Sequence, residues 1–203
     1  MGTFTKGMPS HSGGIHTEFC APERQAEGID VADETPIRKD DEDAGNLSAH
    51  AMDLLATALA HTDQPRATLA AIDRIGGDAV GHCLFSANAF RVETMEVERL
   101  YSSNPDAYPV GGRKHKKSTA WGQQVLLDRR VFVGEGDQAI MEFFDDHALM
   151  RALGVHSIVN VPVVWCGACL GVLNFASPHP RFEARQIAMA KMFGLVAVAA
   201  FLQ

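Results

Sequence analysis

The chain has 203 residues, a hydrophobic share of 46% and a formal net charge of −7, which suits one domain, or one domain with an extension. The negative charge is unevenly spread: residues 1–45 hold ten acids and four bases, the rest fifteen and fourteen. An acidic stretch beside a near-neutral body argues against a nucleic-acid surface, which needs a basic stripe, and the N-terminus lacks the layout of a signal peptide.

Residues 1–45 scatter their apolar side chains among Gly, Pro, Asp and Glu with no sustained period. Such a segment buries too little surface to offset the entropy of ordering it. It is expected to be a disordered acidic tail, with Lys39-Asp40-Asp41-Glu42-Asp43 a solvated linker rather than a metal site. Folded structure is expected over 46–203. Asn46 suits a helix N-cap, and Leu47, Ala51, Leu54, Leu55, Ala58 and Leu59 follow at helical spacing. A second helix is expected after a Thr62 or Asp63 cap, with Pro65 in its first turn, Leu69, Ile72 and Ile75 as its stripe, and Gly76-Gly77 weakening or ending it.

Strands are expected at 82–90 and 92–102. In the second, Met95, Val97 and Tyr101 alternate with Glu96 and Glu98, so Arg99 falls on the apolar side. Two prolines and a Gly-Gly pair make 102–117 a loop. A helix holding Trp121 and Val125 is expected at 118–127, and a short strand at 130–133. Asp137 caps a helix to 144, and Asp145 or Asp146 one that stops at Gly154. Val155–Trp165 and Leu170–Phe175 form a hairpin around Cys166-Gly167-Ala168-Cys169. An almost wholly apolar helix closes the chain from about Phe182 to Leu202, and it needs cover on more than one side. Its apolar run from Ile187, interrupted by Lys191, is short for a membrane span. Four cysteines without an export signal suggest reduced thiols and a cytoplasmic protein. Tight links between strands imply a mainly antiparallel sheet with helices against it, an α+β fold.

Leu153-Gly154-Val155-His156-Ser157-Ile158-Val159-Asn160-Val161-Pro162-Val163, then Gly167, then Leu170-Gly171-Val172-Leu173-Asn174-Phe175, resembles the GAF domain signature. The closing apolar helix and the helix with Trp121 match the family as well. The resemblance implies a PAS-related, six-stranded antiparallel sheet with helices on both faces. It also implies a ligand cavity under one helical layer and dimerisation through the terminal helices. Such domains usually precede an output module. With the chain ending at Gln203, a separate output protein is expected.

Ligand classes within the family leave marks that can be sought one by one. The Asn-Lys pair of the cyclic-nucleotide class is absent, and Phe143-Phe144-Asp145-Asp146 is a faint echo of its downstream residues. Cys83 does not match the setting of a bilin-bearing cysteine. Free methionine-(R)-sulfoxide reductases place cysteines in the loops over the cavity, because sulfoxide reduction needs an exposed thiolate and a resolving thiol. The equivalent stretch here, 102–137, has none. Cys166 and Cys169 remain as a redox pair or as two small residues at a turn, and nothing at metal-ligand spacing accompanies them.

Arg99 on an apolar face needs a partner, either an anionic ligand or an internal acid such as Asp145. Arg113, Lys114, His115, Lys116 and Lys117 form the basic cluster, read either as a lure for an anion or as a solvated loop face. His147 and His156 are weaker pocket candidates. If Cys166 opposes Cys169, position 160 faces 175, so Asn160 and Asn174 lie on opposite faces and at most one reaches the cavity. The expectation is a sensor of a small polar or anionic metabolite, bound among Arg99, Tyr101, Trp121, Phe143, Phe144, Asp145 and Asn160. Its state would be read through a homodimer or a partner. The alternatives are a divergent enzyme or thiol switch using Cys166 and Cys169, and a ligand-free dimerisation module.

Overall fold

The structure, a computed structural model, describes residues 47–202. The expected tail at 1–45 and the expected cap at Asn46 lie outside the described residues. Ser48 caps the first described helix, α1 (Ala49–Leu59), its hydroxyl accepting from the Ala51 N–H at 3.1 Å. Helix α2 (Arg66–Ala79) begins after Pro65 instead of a Thr62 or Asp63 cap, and it buries the expected stripe Leu69, Ile72 and Ile75. It also runs through Gly76-Gly77 instead of ending there. The reason is contact: a Cβ on Gly76 would come within 3.0 Å of the His82 ring and 3.4 Å of Phe175. At Gly76 that close approach stands against a lost helix propensity of about 1 kcal/mol; Gly77 has open space around it.

Six strands follow among the described residues: β1 (Leu84–Arg91), β2 (Glu96–Ser102), β3 (Arg113–His115), β4 (Phe132–Glu135), β5 (Ser157–Trp165) and β6 (Ala168–Ser177). They form one sheet in the order β3-β2-β1-β6-β5-β4, every neighbouring pair antiparallel. Between β3 and β4 lies a π-helical segment, Gly122–Leu127. Helices α3 (Gly136–Phe143) and α4 (His147–Ala152) connect β4 to β5, and α5 (Ala184–Phe201) closes the described chain. The expected loop at 102–117 thus contains a strand. β3 carries only Arg-Lys-His and shows no apolar alternation, because it is an edge held through backbone pairing with β2.

The two sheet faces carry separate cores. One side packs Phe85, Ala87, Val159, Val161, Leu173 and Phe175 under α1, α2 and α5, with Phe193 and Ala197 of α5 fully buried. The other side packs Leu84, Val97, Val172 and Ile158 under the π-helical segment, α3 and α4. Only part of α5 is consumed by the first core: Leu195 is 74% exposed, and Leu202, just past the helix end, 53%.

Two irregularities decide which side chains face which layer. Ala87 stands opposite Tyr101 but Asn88 opposite Arg99, leaving Leu100 without a partner. This bulge resets the alternation of β2. In the C-terminal hairpin Trp165 pairs with Ala168, so the turn is Cys166-Gly167, with φ of 47° and 74°. Two successive positive φ values fit a type I′ turn. Leu170 is then the extra residue, since Val164 pairs with Cys169 and Val163 with Gly171. The expectation that Cys166 opposes Cys169 is corrected, and with it the strand register. Asn160 stands opposite Asn174, on the same face.

Candidate functional site

A cavity of about 80 Å³ lies between the sheet and its second helical layer. Its floor is laid in rows by strand pairing. Leu84, Ala176 and Ile158 form an apolar row across β1, β6 and β5; Ser86 and Asn174 form the next; Asn88, with Arg99 opposite it, ends the series. Tyr108, Lys114, Lys116, Trp121, Phe144, Asp146 and Met150 supply walls and roof.

The polar row is a continuous hydrogen-bonded chain. The Trp121 indole N–H donates to Asn160 Oδ1 at 2.8 Å, Asn160 Nδ2 donates to Asn174 Oδ1 at 2.7 Å, and Asn174 Nδ2 donates to Ser86 Oγ at 3.1 Å. Asn160 is fully buried, and the chain accounts for both ends of its amide. It fixes the indole rather than lining the cavity.

Arg99 is held without an acid. Its guanidinium lies 4.9 Å from the centre of the Tyr108 ring, and Nη1 donates to the Pro109 carbonyl at 3.1 Å. The loop closes over it at Gly112, where a Cβ would come within 3.0 Å of Nη1. Burial lowers its pKa, opposed by Tyr108 and Asp146. Its Nε–H is sealed from water and makes no hydrogen bond, and the same holds for Asn88 Oδ1. The Tyr108 hydroxyl faces Asp146, and burial first, then that carboxylate, pushes its pKa up.

The basic cluster divides by strand parity. Arg113 and His115 point outward onto Glu96 and Glu98, whereas Lys114 and Lys116 turn to the cavity. Lys114 pairs with Asp146 at 2.9 Å. Burial pushes the Asp146 carboxyl up, but the Lys114 ammonium, with the backbone of Asp146 itself and Tyr108 adding to it, holds the pKa below the ordinary range. Lys116 lies 4.9 Å over the Trp121 ring with its pKa lowered, chiefly by burial and then by Lys114. Four charged groups therefore line the cavity, three cations against one anion.

Among the expected site residues the structure brings together Arg99, Trp121 and Phe144. Tyr101 does not join them: the Leu100 bulge turns it to the helical layer, where its hydroxyl donates to Asp73 at 2.8 Å, and Asp73 also meets His82 at 2.9 Å. Phe143 packs on Phe132 at 4.8 Å in the roof. Asp145 is exposed and makes no ion pair with Arg99; its neighbour Asp146 is the cavity acid. His147 bonds the Phe144 carbonyl and His156 bonds Asp137, both outside the cavity. Cys169 donates to the Gly171 carbonyl at 3.3 Å, and burial pushes its thiol up to about 11, while Cys166 is exposed at the turn. Both are free thiols. Asn88, Tyr108, Ser86 and Met150 escaped sequence reasoning. The signal that singled out Asn160, an amide inside a strand, applies equally to Asn88.

The family model described as GAF domain matches residues 46–201. Among solved structures, the GAF domain of a phosphoenolpyruvate-protein phosphotransferase from Acinetobacter superposes with a TM-score of 0.58 at 14% identity, covering 77% of this chain and 95% of that one. The corresponding domain from Coxiella burnetii gives 0.59 at 12% identity, covering 75% and 92%. Free methionine-R-sulfoxide reductase from Neisseria meningitidis, in complex with its substrate, gives 0.57 at 19% identity, covering 77% and 93%. No curated protein matches the chain. At these identities the structural likenesses speak for the fold alone.

Proposed function

The chain belongs to the GAF domain family, and from that premise we propose that it is a cytoplasmic sensory domain that binds a small anionic metabolite in the cavity under Trp121. The observation that carries this reading is Arg99. A guanidinium on the cavity floor, with no ion pair among the described residues and a buried Nε–H without an acceptor, favours an anionic group brought from outside. Lys116 adds a second cation that no carboxylate pairs among the described residues. The cysteine-free stretch over the cavity favours binding over sulfoxide chemistry.

The bound state is read by a twin or by a separate output protein. The outer face of α5 supports the twin: Ala188, Lys191, Leu195, Ala199 and Leu202 recur at helical spacing and are exposed. Burying Leu195 across a two-fold axis contributes about 1.5–3 kcal/mol per subunit. Phe193, fully buried, belongs to the subunit's own core rather than to such an interface.

The test is calorimetry and thermal shift of the full chain against a panel of small carboxylates, phosphate and sulfate, beside an Arg99→Met variant. At least one anion raises Tm in the parent and none does in the variant. A panel without effect, or effects that survive the substitution, would sink the reading. Sedimentation of Leu195→Asp tests the dimer: a parent that is monomeric at micromolar concentration removes it.

A further inference from the structure

The cavity holds a nucleophile as well as charge. Resting on the anion-binding reading, we propose that the occupant is a small 2-oxo acid, held reversibly as an imine on the Lys116 amine.

The surroundings of that amine are the first observation. Lys116 lines the cavity with its nitrogen 4.9 Å over the Trp121 ring, and it makes neither a hydrogen bond nor an ion pair among the described residues. Burial, and after it Lys114, favour the neutral form; Asp146 and Asp145 pull the other way without reversing the direction. A lysine desolvated beside a second cation is the setting in which the amine becomes a nucleophile toward carbonyl carbon. An anion that brings no carbonyl leaves this amine without a use.

The second observation is the neighbour. Lys114 in β3 and Lys116 just past its end continue one ladder along β2: Lys114 stands opposite Val97, and the Lys116 N–H donates to the Met95 carbonyl at 2.7 Å. Side chains two residues apart in extended backbone emerge on one face about 7 Å apart. Lys114 meets Asp146 at 2.9 Å, and an ammonium has three donors, so it can take a second carboxylate. Asp146 is within electrostatic reach of Arg99 and Lys116 too, which places this corner in the field of all three cations. A nucleophile and a carboxylate donor side by side suit a molecule whose carbonyl carbon and carboxylate are adjacent. The cavity, about 80 Å³, keeps that molecule small.

The step balances without a further reagent. The neutral Lys116 nitrogen bonds to C2 of the oxo acid, and the carbonyl π pair passes to the oxygen. That oxygen leaves as water, with one proton from the amine and one from solution. The iminium that remains keeps a positive charge over the Trp121 ring, where the ammonium stood. Hydrolysis reverses the sequence and frees the ligand, as a sensor requires.

The experiment incubates the full chain with pyruvate, lactate, acetone or acetoacetate, adds cyanoborohydride at neutral pH, and maps the peptides by mass spectrometry. Pyruvate labels Lys116, which gains the mass of the acid less one oxygen. The exposed Lys117 and Lys191 are internal controls. Lactate has the charge without the carbonyl and acetone the carbonyl without the charge, so neither labels Lys116 above those controls. Lys116→Arg keeps a cation over the ring but has no nucleophilic amine, and the label at 116 is lost. The parent's selectivity among the four compounds stands as a test without the variant. Label spread over all the lysines overturns the assignment, as does acetone or acetoacetate labelling Lys116 as well as pyruvate does. Anions that raise Tm through Arg99, with no pyruvate label on Lys116, overturn the imine and leave the anion cavity standing. No label and no Tm shift with any anion overturn both.

Discussion

Trp121→Phe isolates one bond of the polar chain. The indole N–H donates to Asn160 Oδ1 at 2.8 Å in a site where Asn160 is fully buried and Trp121 4% exposed. Phenylalanine keeps an aromatic face under Lys116 but has no donor, so the Asn160 oxygen loses its partner. Leaving a buried acceptor unmet costs about 1–3 kcal/mol, and the volume lost with the larger ring adds about 1 kcal/mol. The variant should therefore lose about 2–4 kcal/mol. Urea unfolding of the full chain reads this directly: with a slope of about 2 kcal/mol per M, the midpoint falls by about 1–2 M at unchanged slope. Asn160→Ala removes the acceptor, so the double variant should cost less than the two single losses combined, with a coupling of about 1–2 kcal/mol. A midpoint shift below about 0.3 M, or strictly additive losses, would refute the claim that this bond orders the cavity wall.

The ionic wall has its own pH signature. Because the folded Asp146 pKa is depressed, its stabilising contribution is present above the unfolded carboxylate range and is lost as pH falls through the folded value. The stability gap between the parent and Asp146→Asn should be constant near neutrality and shrink below about pH 4; gaps that stay parallel to low pH in urea titrations would contradict the Lys114 pairing. For the thiols, a pKa of about 11 at Cys169 leaves a thiolate fraction of roughly one in ten thousand at pH 7. Alkylation mapped by mass spectrometry should label exposed Cys166 well before Cys169, and spontaneous Cys166–Cys169 oxidation in air would revive the thiol-switch alternative.

Much of this molecule is legible wherever one period rules a segment. Leu69, Ile72 and Ile75 announce α2, and the Val-Pro strand with its turn glycine announces the C-terminal hairpin. Arg99 stands out because a cation on an apolar parity is costly. What escaped depends on single inserted residues and on backbone-only pairing. Leu100 is one residue of extra strand, and it moves Tyr101 from the cavity to Asp73. Leu170 does the same to the hairpin and brings Asn160 onto Asn174. Neither insertion changes composition or hydropathy, so nothing short of the pairing reveals it. β3 is illegible for another reason: Lys114, and Lys116 just past the strand's end, reach the cavity from an edge that buries no apolar side chain of its own. The choice between Asp145 and Asp146 turns on the local geometry at the start of α4, which charge alone does not specify.

The unpaired Leu100 makes β2 a lever. Arg99 and Tyr101 sit two residues apart yet grip opposite sides of the sheet, one in the cavity, the other on Asp73 of α2 beside His82. A shift of the strand that draws Arg99 toward an arriving charge must pull on the Tyr101–Asp73 bond behind it. The pull lands on the helix that packs most closely against α5, whose outer stripe would face a twin. Mechanical news from the cavity thus has a path of one strand's thickness to the surface where an assembly would hear it.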